Sequence, residues 1–351
     1  MQINSLKLEN FRNFDNKKFI FEKTNVIVGP NASGKTAIAE AIYLLSTAKP
    51  IRGDYDKDTI NFDKEYCKIE GKINSKDETT KLEVIISKNK EEGNRSLKKL
   101  TVNGIPKLQK VFVGRLRSVL FTPENLNIFS QGPGERRKEI DNVLTQTDQN
   151  YRGYISDITK IIKNRNKVLE KINKEHKGLD ELQYWDDNLI KTGGLLQESR
   201  QNYIHNIKDF FRQTGKTLDR EVSEYLIEYK KSEVTKANLE KIRDREIATK
   251  MTLIGPTRDD FKVYLGGREI ESFGSRGQQR TGILALKICE LGFLETENKE
   301  RPVLILDDIL SELDEKHRGH VMNILHTQQT ILTTTETSLA QKIPTSHYIE
   351  L

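Results

Sequence analysis

Eight consecutive residues, Gly29-Pro30-Asn31-Ala32-Ser33-Gly34-Lys35-Thr36, carry the most specific chemistry in the chain. They fit G-x-x-x-x-G-K-[ST], in which a glycine-rich turn lets backbone N–H groups curl around the β-phosphate of a nucleotide. The N-terminus of the following helix adds partial positive charge. Lys35 then reaches the β- and γ-phosphates, and the Thr36 hydroxyl is placed to ligate Mg²⁺. The cofactors expected are therefore ATP and Mg²⁺. A second feature is the apolar run Val303-Leu304-Ile305-Leu306 ending in Asp307-Asp308. Asp307 would hold Mg²⁺, directly or through water, and Asp308 would polarise the attacking water as a general base. Each feature has a plainer reading: a glycine turn that happens to carry a lysine, and two acids that cap the next helix. Together they point to nucleotide hydrolysis, with Lys35 and Asp308 as its catalytic residues.

The elements around these residues are those the chemistry needs. Asn25-Val26-Ile27-Val28 reads as a strand entering the loop, and a helix from Thr36 to Leu45 leaves it. Pro302–Leu306 and Thr330–Thr335 are continuous apolar runs, as strands buried on both faces of a parallel sheet require. Near the N-terminus, Ile3 to Leu8 alternates with period two, and Phe19–Phe21, Lys81–Ile86 and Leu100–Gly104 read as further strands. The middle differs. No proline occurs between Pro133 and Pro256, and 38 of the 100 residues in 151–250 are charged. Tyr151, Ile155, Ile158, Ile162, Leu169 and Ile172 recur at helical spacing, with Arg165 interrupting the stripe. Gly178 and the pair Gly193-Gly194 are candidate breaks. The expected fold class is α/β, an ATPase head split by a mainly helical inserted arm. Its parts are 1–110 (head, first part), 111–249 (arm) and 250–351 (head, second part).

The order of parts narrows the class. Lys35 and Asp307 have 271 residues between them, far more than a Ras-like P-loop fold uses. Between them lies Ser272-Phe273-Gly274-Ser275-Arg276-Gly277-Gln278-Gln279-Arg280, ahead of an apolar helix from Ile283 to Leu294. By itself this is a polar loop with a capping serine. In that position, Ser275-Arg276-Gly277-Gln278 resembles the signature sequence of ABC-type ATPases. Ser311-Glu312-Leu313-Asp314 resembles their D-loop, represented by Ser311 and Asp314. Further stretches are similar to one family throughout the chain: Leu8–Phe14, Leu120–Leu126, Gly132–Asp141 with Arg136-Arg137, Tyr184-Trp185-Asp186, and Gly255-Pro256-Thr257-Arg258-Asp259-Asp260. The sequence resembles the RecF family of bacterial recombination and repair proteins, which belongs with the SMC-type heads inside the ABC superfamily.

The resemblance implies an ABC/SMC-type P-loop ATPase head that binds ATP, dimerises on it and hydrolyses it slowly. The signature serine and glycine would act in trans, on the γ-phosphate held by the other subunit of a homodimer. It implies binding to duplex DNA and to gap junctions between single- and double-stranded DNA. RecR is the implied partner, with RecO and RecA downstream, in loading RecA on gaps, replication restart and SOS induction. The chain departs from the pattern in places. Thr257 stands where the family usually has His. The catalytic acid is Asp308 where ABC proteins usually have Glu, which sets the carboxylate back by about an ångström, a misplacement able to cost about 10²-fold. A slow, switch-like ATPase follows. Thr335 replaces the usual switch histidine, and no clear Q-loop glutamine is present, Glu124 being the candidate for a related role.

DNA contacts have two candidate regions. Lys160, Lys163, Arg165, Lys167, Lys171, Lys174 and Lys177 outnumber Glu170 and Glu175 in one helix-like stretch, and Arg136-Arg137-Lys138 is a second cluster. Such cations can neutralise phosphates. A solvated helix face is the equal alternative. Trp185 reads as core rather than a stacking platform, and His176 as exposed.

Composition sets the outer limits. The 351 residues carry 58 Lys plus Arg against 52 Asp plus Glu, a net charge of +6. Charged residues make up 31%, against about 25% in an average soluble domain, as a projecting helical part would require. No run approaches the ~20 apolar residues of a membrane span, and the N-terminus lacks the pattern of a signal peptide. Cys67 and Cys289 alone make neither a disulfide framework nor a zinc site. The expectation is a cytoplasmic protein without a membrane partner. A transporter subunit would keep about 100 residues between loop and signature, against the 240 from Lys35 to Ser275. A long SMC-type tether is excluded because an out-and-back arm of about 100 residues reaches at most ~75 Å. The 43 residues after Asp308 are too few for a fused nuclease domain.

Overall fold

The apolar runs around the phosphate loop form one parallel sheet. In the computed structural model, which describes residues 1–52, 55–76, 78–89, 96–219, 224–341, 343 and 346–351, its strand order is His347–Glu350, Thr24–Val28, Thr330–Thr334, Val303–Asp307, Ser118–Phe121. Strand Thr330–Thr334 lies between the strand that enters the phosphate loop and the strand that ends in the acids. The register pairs Val28 with Thr334 and Thr333 with Asp307. Both chemical motifs therefore leave the same carboxyl edge of the sheet, where open α/β folds bind their ligands.

Helix Lys35–Thr47 is buried on nearly every side, as a helix packed between two layers must be. One layer is the parallel sheet. The other is a six-stranded antiparallel sheet in which Gln2–Phe11 lies between Phe14–Ile20 and Tyr66–Ser75, followed by Glu78–Lys88, Ser96–Val102 and Ile105–Pro106. Ile3, Leu6, Leu8, Ile69, Val84 and Ile86 from this sheet share one core with Ile38, Ile42 and Leu45 of the helix and Val303, Ile305 and Ile331 of the parallel strands.

The chain divides into two compact units, one of Met1–Asn127 with Ile283–Leu351 and one of Ile128–Gly282. The expected divisions at 110/111 and 249/250 lie elsewhere, for reasons of strand pairing. Ser118–Phe121 hydrogen-bonds beside Val303–Asp307 and stays with the head. Asp260–Leu265 pairs with Tyr225–Lys230 and stays with the inserted unit.

The inserted unit is mainly helical, with Pro133–Thr147, Gln149–Glu175, Leu179–Leu218 and Lys236–Thr249. It also holds a small antiparallel sheet of Arg268–Glu269, Asp260–Leu265 and Tyr225–Lys230, beyond the expected helical arm. Gly178, in the left-handed conformation at φ 112°, is a helix break. The pair Gly193-Gly194 is not: the helix runs unbroken from Leu179 to Leu218. At Gly193 an added Cβ would sit 3.2 Å from both Pro256 and Val234, so this glycine admits a close approach instead of ending the helix. Arg165 lies in the apolar seam of Gln149–Glu175 and is buried there with Ile158, Ile161, Val168, Leu169 and Ile172. Its guanidinium is neutralised by Asp186 at 2.8 Å and Glu246 at 2.5 Å. No helix among the described residues is long and apolar enough to cross a membrane.

Candidate functional site

The phosphate loop takes the shape its glycines permit. Gly34 adopts φ 108°, and a Cβ there would lie 2.5 Å from the Phe14 ring. Lys35 is buried, and its ammonium donates to the carbonyls of Gly29 and Pro30 at 2.7 Å each. The loop and first turn line a cavity of about 450 Å³ with Arg12, Asn13, Asn31, Lys35, Thr36 and Asp308 on its walls.

Of the two acids, Asp308 lines this cavity and Asp307 meets it only through Thr36, and their environments differ. Asp307 is buried and accepts from the Thr36 hydroxyl at 3.1 Å and the Thr333 hydroxyl at 2.7 Å. Burial pushes its pKa up, against the pull of those two hydroxyls. Asp308 has φ 52°, a conformation that turns the chain sharply after the strand. It occupies the N-cap position of helix Ile309–Glu312, yet its side chain makes no capping bond. Its Oδ1 is buried without a hydrogen-bond partner. The capping alternative thus does not describe Asp308. Burial raises its pKa, the Asp307 charge raises it further, and Lys35 pulls it down. A desolvated carboxylate with an unused lone pair, beside a lysine and a cavity, is equipped to accept a proton.

Thr335 follows strand Thr330–Thr334 and sets its backbone amide against the Asp308 carboxylate. Glu124 lies in the turn Pro123–Asn127 after the edge strand, 3.6 Å from the Arg52 guanidinium. The Ser311 hydroxyl donates to the Asp308 carbonyl at 2.8 Å. Asp314 caps helix Glu315–Ile324, accepting from the His317 amide at 2.9 Å.

The candidate signature residues lie in the inserted unit at the start of helix Arg276–Asn298. Ser275 and Gln278 bond reciprocally: the Ser275 amide donates to Gln278 Oε1 at 2.8 Å, and the Gln278 amide donates to Ser275 Oγ at 3.3 Å. This is the capping-box arrangement that fixes a helix entry. Ser275, Arg276 and Gly277 are exposed.

The DNA candidates separate sharply. Arg136 is buried, and its guanidinium forms a two-point pair with Asp260 at 2.7 and 2.9 Å. It is a structural cation, which corrects its assignment as a DNA contact. Arg137 is half-buried and donates to the Asp259 carbonyl at 2.7 Å. Lys160, Lys163 and Lys167 are exposed along Gln149–Glu175. Arg165, counted with them in the sequence, is internal. Trp185 packs against the cluster of Val168, Leu169, Ile172 and Leu182, and His176 is exposed.

The structure adds residues that spacing did not reveal. The Arg12 side chain forms a two-point pair with Glu40 at 2.7 and 2.8 Å. Asn13 Nδ2 donates to the Ser33 carbonyl at 3.1 Å, tying the end of the first strand to the phosphate loop. Glu40 and Arg52 also face the cavity. Arg12 and Asn13 lie within the Leu8–Phe14 stretch, but nothing in their spacing ties them to the phosphate loop: they form the turn between the first two strands.

Comparison with known proteins agrees with this architecture. The chain matches the RecF/RecN/SMC N-terminal domain family over residues 2–348. It is 35% identical over 340 residues to the DNA replication and repair protein RecF of Lachnoclostridium phytofermentans, covering 95% of this chain and 93% of that one. The RecF of Bacillus cereus is 34% identical over 353 residues, covering 95% and 92%. A solved structure of the recombination mediator protein RecF with ATP, of the RecFOR pathway, superposes with a TM-score of 0.87 at 33% identity, covering 96% of this chain and 92% of that one. An Smc head domain from Pyrococcus furiosus shares the fold, with a TM-score of 0.56 at 17% identity over 99% and 92% of the two chains. The chain belongs to the RecF/RecN/SMC family and, within it, to the RecF proteins.

Proposed function

We propose that this chain is a DNA-binding ATPase of recombinational repair that uses ATP as a switch. The observation that carries the reading is the hydrogen bond of 3.1 Å between Asp307 and Thr36, a residue that lines one cavity with Lys35 and Asp308. A threonine hydroxyl and one carboxylate are hard oxygen donors suited to Mg²⁺, which takes few protein ligands and completes its shell with water and phosphate. The orphaned Asp308 Oδ1 beside them supplies the acceptor that hydrolysis needs. The ion would arrive with the nucleotide. When bound, that ion neutralises charge on the β- and γ-phosphate oxygens.

The residues then divide the work. The backbone N–H groups of Asn31, Ala32, Ser33, Gly34, Lys35 and Thr36 cradle phosphate, with Gly29 and Pro30 shaping the turn. Lys35 leaves its two carbonyl partners for the β/γ oxygens. Thr36 and Asp307 fix the ion. Asp308 takes the proton of the attacking water, and its short side chain keeps turnover slow. Ser275, Arg276, Gly277 and Gln278 present an exposed helix N-terminus to the γ-phosphate of a second copy, with Ser311 and Asp314 at the seam between the two. ATP therefore joins two heads on duplex or gapped DNA and hydrolysis releases them, in support of RecA loading with RecR and RecO. Nucleotide binding and turnover measured for wild type, Lys35→Ala and Asp308→Asn test this. Loss of binding in the first and of turnover alone in the second are expected. Unchanged turnover in Asp308→Asn contradicts the assignment of the base.

A further inference from the structure

The antiparallel sheet of the first unit has one face on the core and one in solvent, and the solvent face is unusually cationic. Leu6, Leu8, Phe19, Ile69 and Ile73 point inward and are buried. The alternate positions point outward. There the register sets Lys7 directly opposite Lys18, with Glu70 on its other side, and sets Lys72 opposite Lys81. Like charges directly opposed across strands are destabilising, so sequence selection for sheet stability alone does not account for the Lys7–Lys18 pair.

The face carries six lysines (Lys7, Lys18, Lys68, Lys72, Lys81, Lys99) against three glutamates (Glu9, Glu70, Glu83). The glutamates are already engaged. Glu70 is 3.0 Å from Lys81, and Glu83 is 2.8 Å from Lys68. Burial pushes the Glu83 carboxyl up, but hydrogen bonds from Lys68, Thr101 and Lys81 bring it down to about 2. Glu9 accepts from the Tyr66 hydroxyl. Lys7, Lys18 and Lys72 are exposed, and none of the three is within ion-pair distance of a carboxylate among the described residues.

We infer that this sheet face is a phosphodiester-binding surface on which Lys7, Lys18 and Lys72 contact the backbone of duplex DNA. The inference rests on the DNA-binding reading above and assigns it a surface on the head. The three lysines sit on adjacent strands about 4.8 Å apart, a flat array that suits an extended polyanion better than a small anion needing an enclosed site. Lysine is a point charge without the planar fork of arginine, so such contacts position the duplex and read no sequence.

The test is equilibrium binding of a fluorescent duplex of mixed sequence to the full chain with ATP, titrated across salt concentration. The variants are Lys7→Gln/Lys18→Gln, Lys7→Arg/Lys18→Arg and, on the inserted unit, Lys160→Gln/Lys163→Gln. For the first, the association constant falls roughly tenfold and the log–log salt slope flattens by about two, at ~0.9 per phosphate contact. Its melting temperature holds or rises as the cross-strand repulsion goes, and nucleotide affinity is unchanged. The arginine variant retains binding. Wild-type affinity and slope in the glutamine variant overturn the inference. A wild-type protein that binds no duplex at any salt overturns the DNA-binding reading itself, and loss confined to Lys160→Gln/Lys163→Gln moves the contact to the inserted unit and overturns the surface assigned here.

Discussion

Thr36 and Asp307 are 271 residues apart in the chain and share a hydrogen bond of 3.1 Å. One strand, Thr330–Thr334, makes this possible by pairing with both Thr24–Val28 and Val303–Asp307. Its Thr333 hydroxyl bonds the same Asp307 oxygen at 2.7 Å. The whole inserted unit is thus accommodated without disturbing the distance on which the site depends.

Replacing Asp308 with Asn should leave nucleotide affinity intact and slow turnover by about 10²–10⁴-fold, the usual contribution of a positioned base. Single-turnover hydrolysis measures this directly, and the variant should accumulate in the ATP-bound form.

The raised pKa of Asp308 has a sign that can be checked. A carboxyl whose folded pKa lies above its unfolded value contributes stability that is fully present below the unfolded pKa and is lost as pH rises through the folded pKa. At neutral pH the charged group is therefore a burden, and Asp308→Asn should raise the melting temperature there, with the gain vanishing on acidification. Turnover of the wild type should fall as pH drops through the same raised pKa. A variant with a lower melting temperature at neutral pH contradicts the first expectation, and wild-type turnover that stays flat on acidification contradicts the second.

Gly34→Ala should abolish nucleotide binding. The position needs φ 108°, and the added carbon would meet the Phe14 ring at 2.5 Å, so the loop must move. Calorimetric titration with ATP, alongside circular dichroism to show an intact fold, checks it.

Arg200 holds the inserted unit together. It pairs with Asp141 at 2.9 Å and with Asp259 at 3.0 Å, and it is buried. Asp259 also accepts from the Tyr229 hydroxyl at 2.5 Å and Gln197 at 2.7 Å. Arg200→Met should cost about 3–5 kcal/mol, because it leaves buried carboxylates without their cation. Denaturant unfolding followed from the single tryptophan, Trp185, which lies in the same unit, measures the loss.

The phosphate loop was legible in the sequence because its chemistry needs contiguous residues of fixed type. The acidic strand end was legible because a strand buried on both faces is apolar throughout, so that two carboxylates at its end stand out. Arg136 and Arg165 were misread for a shared reason. Their partners are Asp260, 124 residues away, and Asp186 and Glu246, 21 and 81 residues away. A cation neutralised by distant carboxylates looks in sequence like one that seeks phosphate. Gly193 was misread because a helix interior tolerates glycine when Pro256 must come close. Arg12 and Asn13 were invisible as site residues because only the hairpin brings them over the loop.

In the proposed function, ATP closes two heads through Ser275 acting on a nucleotide held by Lys35 of another copy. Sedimentation of wild type, Lys35→Arg and Ser275→Arg, with and without ATP and a gapped duplex, tests it most directly. Wild type should dimerise only with ATP, and both variants should stay monomeric. A wild type that stays monomeric under ATP, or a Ser275→Arg variant that dimerises as wild type does, would contradict it.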